Sequence, residues 1–365
     1  MAGRIERTGR ELLTRAVVRL LPPRTGGLRD PGSLKPERVL IVRHDDRIGN
    51  LVLMTALVRG VRELWPTAEI GVLIGPRFPH VLQEEVEIDR FWILEKRRIL
   101  RNPFLFFFLL RRLRRWQYQL AIDCSHMHSF SLTGAAMAFL SGAPVRVAYE
   151  RGRADAFSNL LVEPLKADHH ESDILLNLLR PFTQELPAVR MGLRVSTEEQ
   201  QWAENMLIGR GVTGDARLLG VHVGGRGGKR WDIAHFVRVL ETLEQERDVE
   251  MVVFCGPGER GEAARLRATF GSRIKVLEHL EIRQLIALIA ACDLFLSPDT
   301  GPMHIAAAIG VPTAALFLKD DWKRYGPIGE RHEVVQVTGQ GGEEEVVKAL
   351  IRLLDRHSGG SDEDS

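Results

Sequence analysis

Apolar residues along this chain fall into short β-branched runs that alternate with stretches of helical spacing. Val39 to Val42 is one such run; a polar, glycine-containing turn follows, then apolar positions at Leu53, Leu57 and Val61. That pattern reads as strand, loop and helix, the opening unit of a parallel α/β sheet. Further strands are predicted at Glu69 to Ile74 and Gln119 to Asp123. The same grammar restarts near Arg217, where Leu218 to Val223 enters a loop with four glycines and then a helix from about Ile233. Strands at Glu250 to Cys255, Ile274 to Leu277, Asp293 to Ser297 and Thr313 to Phe317 complete the predicted pattern. Helices through Arg267, over Ile282 to Ala291 and in the small-residue segment IAAAIG lie between them. Alternation of this kind implies parallel sheets covered on both faces.

The predicted fold class is therefore α/β, with two Rossmann-like domains whose parallel sheets face a central cleft. The domains span 37–190 and 191–356, joined near Leu186 to Ser196. A basic extension (1–36) with a helical stretch from about Ile5 to Leu21 precedes them, and a disordered acidic tail (357–365) follows. In open parallel sheets ligands bind beyond the carboxyl ends of the strands. Every glycine-rich loop here lies at such an end, so the cleft is the expected site.

Composition narrows the class. A length of 365 residues suits two domains, and 44% hydrophobic with 27% charged residues suits a soluble globular protein. Lys+Arg 50 against Asp+Glu 48 leaves +2, which argues against a polycation built for nucleic acid. Cys124, Cys255 and Cys292 lack CxxC spacing, so neither a disulfide framework nor a zinc site is expected, and a reducing cytosol fits. Apolar runs such as Phe104 to Leu110 are far shorter than the roughly 20 residues of a spanning helix. The first 35 residues have no continuous apolar core, unlike a secretory signal. Charge is uneven, however: residues 1–36 hold eight basic and three acidic residues, and Lys96 to Arg115 holds eight basic and none acidic around PFLFFFLL.

Four loops carry candidate chemistry. In GGRGGKRW, glycines Gly224 and Gly225 let backbone N–H groups approach a phosphate, and Lys229 and Arg230 add cationic contacts. It is not a Walker loop, because Val223 and Arg230 break that pattern. SPDTGPMHIAAA places Asp299, Thr300 and Gly301 at a strand end, with Pro302, Met303 and His304 opening a helix whose free N–H groups suit a diphosphate. A plain capped helix, with Asp299 or Thr300 as cap, accounts for the same residues less fully. After a glycine turn, Glu259 of CGPGERGE suits ribose hydroxyls, or a solvated first helical turn. RHDDRIGN offers His44, Asp45 and Asp46 as a general base.

RHDDRIGNLVLMTAL, GGRGGKRWDIAHF, the GPGE turn, SPDTGPMHIAAAIGVPTAALF and WKRYGP together resemble the bacterial glycosyltransferase family 9, the heptosyltransferases of lipopolysaccharide core assembly. The similarity runs from about Arg38 to Pro327 and is clearer in the second half. It implies a GT-B fold and metal-independent, inverting transfer of a sugar. The donor is a nucleotide-diphosphate sugar, by family default ADP-heptose, with no separate cofactor. By this resemblance Lys229 binds the diphosphate, Glu259 the ribose, and Asp299, Thr300, Gly301, Pro302, Met303 and His304 form the donor loop. The family motif usually ends in Gly-Asp, whose aspartate is the proposed base. Here that position is Asn50, which as a neutral amide cannot take the acceptor's proton. Asp46, four residues earlier, is the expected base, with Asp45 the alternative.

The expected acceptor is a lipid-linked or envelope glycan, reached from an anionic membrane surface on the inner face of the cytoplasmic membrane. Arg97, Arg98, Arg101, Arg111, Arg112, Arg114 and Arg115 flank an aromatic run, a composition suited to that interface. The competing reading makes Phe104 to Leu110 a core helix. Asn50 also supports a different class, a non-catalytic nucleotide-sugar or glycan-binding scaffold. An NAD-dependent oxidoreductase is disfavoured because the first βα turn lacks GxGxxG.

Overall fold

A computed structural model describes residues 30–166, 168–338 and 341–358. The N-terminal helical stretch and most of the acidic tail lie outside the described residues. The first sheet is built from β1 (Arg38–Arg43), β2 (Glu69–Ile74), β3 (Arg90–Ile93), β4 (Leu120–Asp123), β5 (Val145–Tyr149) and β6 (Leu160–Val162). Its order is β3-β2-β1-β4-β5-β6, and the pairing is parallel throughout. The second sheet repeats that order from β7 (Arg217–His222), β8 (Val249–Cys255), β9 (Ile274–Glu278), β10 (Leu294–Pro298), β11 (Thr313–Phe317) and β12 (His332–Gln336), as β12-β11-β10-β7-β8-β9. Thr313 to Phe317 thus does not close the pattern; β12 pairs beyond it. Each half is doubly wound, and its switch point lies between the first and fourth strands, which is where such folds bind ligands.

β1 is apolar at four successive positions because helices cover both of its faces. Between β1 and β2 runs α1 (Ile48–Leu64), and the β3–β4 crossover is a pair of helices, α2 (Lys96–Arg101) and α3 (Phe104–Arg115). α4 (Leu132–Leu140) follows β4, and α5 (Glu171–Leu176) begins the return toward the second half. α6 (Thr197–Gly209) carries a full capping box between Ser196 and Glu199. In the second half α7 (Ile233–Glu246), α8 (Arg260–Phe270), α9 (Ile282–Ala290), α10 (Gly301–Ala308) and α11 (Trp322–Tyr325) connect the strands. The final helix, α12 (Glu343–Ser358), extends into the segment expected to be tail.

The main apolar core does not stop at the boundary between the halves. Leu51, Leu57 and Val61 of α1 belong to the same buried cluster as Ile286 and Ile289 of α9, Ile305 of α10, and Phe254 and Phe295 of the second sheet. The join is likewise tied down: Gly192 N–H donates to Thr55 Oγ1 (3.0 Å), Leu193 N–H to the Ala308 carbonyl (3.1 Å) and Arg194 N–H to Glu85 Oε1 (2.7 Å). A bidentate Arg283–Glu199 pair adds to this seam. The three cysteines are buried thiols without disulfides, and burial pushes Cys124 and Cys255 up to about 12.

Candidate active site

The crevice is built where α1 and α10 meet end to end. A Cβ on Gly49 would lie 2.5 Å from His304 Cδ2, and one on Gly301 would lie 3.0 Å from Ile48 Cβ, so glycine at both places is what lets the helix ends touch. His304 is buried in this seam, with Nε2 3.7 Å from Asp299 Oδ1. Burial, reinforced by His170 and Lys229, pushes its pKa down to about 3, so it stays neutral.

On the second half's side, the chain after β7 turns so tightly that a Cβ on Gly225 would sit 2.6 Å from the Lys229 carbonyl oxygen. This turn brings Lys229 Nζ onto Asp299 Oδ2, to which it donates, and 5.4 Å from the Tyr325 ring centre. Asp299 is only 5% exposed, and Lys229 is the cation that faces it. Thr300 is the N-cap residue of α10, yet its side chain makes no cap bond; Oγ1 contacts the Pro298 carbonyl (3.2 Å) and Ser297 Oγ (3.1 Å) instead. Neither candidate cap is therefore used as one, and among the described residues no side chain caps the start of α10. Glu259 leans over the other glycine: a Cβ on Gly224 would meet Glu259 Cδ at 2.9 Å and His222 Nε2 at 2.6 Å. Gly224, Gly225, Lys229, Glu259, Asp299, Thr300, Gly301 and His304 thus converge. Pro302 and Met303 are buried, and Met303 packs with Ala315 and Phe317 beneath the loop.

The opposite wall is a cavity of about 410 Å³ lined by, among others, Arg43, Asp45, Asp46, Arg77, His126 and Arg226. Asp46 is solvent-exposed at its edge, with Oδ1 beside Gly75. Asp45 turns inward. Its Oδ1 accepts from Arg47 N–H (3.0 Å), and Oδ2 accepts from Asn50 Nδ2 and lies 3.1 Å from His126 Nε2 and 3.8 Å from Arg43 Nε. Burial alone would raise its pKa, but the His126 hydrogen bond, the Arg43 charge and Asn50 outweigh burial and hold it at about 2. Behind this pair lies Glu171, 1% exposed, with Oε1 3.9 Å from both His126 Nδ1 and Arg43 Nη2.

Two contacts lock the halves across the crevice. Arg324 of α11 donates to Glu171 Oε2 through Nε (2.8 Å) and Nη2 (2.6 Å), and its Nη1 meets His128. His170 Nε2 lies 3.0 Å from the Gly326 carbonyl oxygen, to which it donates. The sequence reading assigned no role to Arg43, His126, Glu171 or Arg324. One signal was available: His126 and His128 follow β4, the strand opposite β1 at the switch point.

The family model that matches this chain, over residues 106–350, is glycosyltransferase family 9 (heptosyltransferase). The chain belongs to glycosyltransferase family 9. The family match leaves out the β1–α1 loop and extends beyond Pro327. Lipooligosaccharide heptosyltransferase 2 of Campylobacter jejuni subsp. jejuni is 33% identical over 107 residues, 28% of this chain. The matched stretch spans about a third (33%) of that relative's length. Among solved structures, a family 9 glycosyltransferase from Veillonella parvula superposes with TM-score 0.79 at 18% identity, covering 91% of this chain and 100% of the other. An E. coli ADP-heptose LPS heptosyltransferase II gives 0.71 at 20% identity, covering 88% and 99%. Their two-domain fold is the one described above.

Proposed function

We propose that this family 9 protein transfers a sugar, a heptose from ADP-heptose, to a lipid-linked envelope glycan, with inversion and without a metal ion. The observation that carries this reading is the convergence of Lys229, Asp299, the Gly224–Gly225 turn and the uncapped start of α10 at one end of the crevice. As the bond between the anomeric carbon and the diphosphate breaks, negative charge builds on the leaving group. Preorganised backbone N–H groups and an ammonium at that place stabilise it. The Lys229 ammonium rests on Asp299, and an arriving diphosphate shares it. Glu259, beside the same turn, suits the ribose hydroxyls. The Campylobacter relative is named a heptosyltransferase, and the E. coli structure an ADP-heptose heptosyltransferase. Calorimetry of the purified protein against ADP-heptose, a UDP-sugar and a GDP-sugar tests this: saturable binding of ADP-heptose is expected, and no binding of any of the three overturns it.

The acceptor's lipid anchor brings the protein to an anionic bilayer, peripherally and on the cytoplasmic side. Among the described residues no helix is long and apolar enough to cross a membrane. The α2–α3 pair supports surface binding instead. Phe106, Leu109, Leu110 and Leu113 of α3 pack inward, while Phe104 (72%), Phe107 (58%), Phe108 (58%) and Leu100 of α2 (84%) stand exposed among arginines. The core-helix reading thus holds for one face only. The pair adjoins the acceptor wall, because His44 Nε2 donates to the Leu94 carbonyl (3.1 Å) two residues before α2 begins. Basic residues at such a surface contribute on the order of 1 kcal/mol each. Wild-type protein is expected to co-sediment with phosphatidylglycerol vesicles at low salt. Replacing Phe104, Phe107 and Phe108 by serine should reduce the bound fraction several-fold while donor affinity is unchanged. Equal sedimentation of both proteins removes this surface from the proposal.

A further inference from the structure

A hydroxyl that attacks a sugar carbon must lose its proton, and the cavity wall offers four side chains to take it: His44, Asp45, Asp46 and His126. His44 is tied to the Leu94 carbonyl, and burial together with Lys96 lowers its proton affinity. Asp46 stands in solvent outside the cluster. Asp45 has both oxygens engaged and, with its carboxyl held at about 2, almost no tendency to take a proton at neutral pH. His126 remains, 29% exposed at the side chain and lining the cavity.

The surrounding groups suit that role. His126 Nε2 stands 3.1 Å from both Asp45 Oδ2 and Asn50 Nδ2; an ionised Asp45 only accepts, so with the Asn50 amide donating to the same carboxylate, Nε2 carries the ring proton toward Asp45. That leaves the lone pair on Nδ1, which stands 3.9 Å from Glu171 Oε1, beyond hydrogen-bond reach. Asn50 completes the arrangement by donating to Asp45 Oδ2. An aspartate at position 50 would instead press a second carboxylate against Asp45, and like charges so close cannot both ionise. The amide at position 50 and the carboxylate at position 45 are therefore a matched exchange: the negative charge sits in the loop before α1 rather than in its first turn.

Resting on the glycosyl-transfer reading above, we propose that His126 takes the acceptor's proton, with Asp45 as the positioning residue that holds its ring. The acceptor oxygen forms its bond to the anomeric carbon as its proton passes to His126 Nδ1. The anomeric carbon–oxygen bond to the diphosphate breaks, and the electron pair leaves with the nucleotide diphosphate. The imidazolium then lies between the carboxylates of Asp45 and Glu171. Arg43 and Arg324 balance those carboxylates, His128 adjoins the Arg324 end, and Arg151 binds the His126 backbone carbonyl. The geometry parallels a histidine oriented by a buried carboxylate in hydrolases.

The test uses the full chain with ADP-heptose, with donor affinity measured separately by calorimetry. His126→Ala is expected to lower the transfer rate by about 10²-fold or more, with donor affinity unchanged and partial rescue by added imidazole. Asp45→Asn, which removes the carboxylate that holds the ring, is expected to lower kcat by about 10-fold with donor affinity unchanged. His126→Ala with wild-type rate overturns the proposal and leaves the glycosyl-transfer reading standing. So does a loss of rate in His126→Ala without imidazole rescue and with kcat of Asp45→Asn unchanged, which is the signature of a structural role. Wild-type protein that binds no nucleotide-sugar overturns both.

Discussion

Lys229→Ala is expected to lower the rate of sugar transfer by about 10²–10³, the loss typical of one preorganised donor to a developing charge. The lysine is 32% exposed and belongs to a loop, so the fold should survive its removal. In the proposed mechanism, what is lost is the cation that faces the leaving diphosphate; in the structure, it is the partner of the buried Asp299 carboxylate. Because the lysine meets a charge that grows as the bond breaks, kcat should fall further than donor affinity weakens. Lys229→Arg, with a planar fork in place of a point charge, should recover only part of the rate. Steady-state kinetics against ADP-heptose, paired with calorimetry, measures both quantities. Full turnover by Lys229→Ala would remove the lysine from the mechanism.

The second large effect is on stability. Arg324→Ala removes both hydrogen bonds to Glu171 Oε2 and leaves that nearly inaccessible carboxylate with only the more distant Arg43 and His126. Breaking a buried ion pair from one side typically costs about 3–5 kcal/mol, most of it the uncompensated charge. For a chain of this size that corresponds to a fall in Tm of roughly 5 °C. Glu171→Gln in the same background removes the stranded charge and should restore a good part of the loss. A double-mutant cycle read by thermal denaturation checks the sign and the size. If Arg324→Ala melts with the wild type, the pair is not what ties the halves together.

Much of the second half was legible because its signals are local. Glycines, a lysine and a Pro-Met-His helix start sit within a dozen residues of a strand end, and β8 and β11 each hold a run of four or more apolar residues. The strands that escaped notice are short or carry charge: RFWI begins with an arginine, VRVAY has Arg146 as its second residue, β6 has three residues, and β12 begins with a histidine and a glutamate. The acceptor wall was legible only as a loop. Two adjacent carboxylates look alike in sequence, and what separates them is three-dimensional. Asp45 captures the Arg47 N–H and turns in, whereas Asp46 is left beside Gly75 at the end of β2. His126, Glu171 and Arg324 come from three distant segments, so no local pattern unites them. The aromatic run at Phe104 to Leu110 is the opposite case: its composition was plain, but only the helix phase told which rings point outward.

The apolar body shared by α1, α9 and α10 has an evolutionary corollary. A half-protein cut at the join would expose Leu51 and Leu57 on one fragment and Ile286 and Ile305 on the other, so neither fragment is a ready-made exchangeable module. A chimera that grafts a relative's first half must carry the matching seam residues with it, or melt before it is ever tested for a new acceptor.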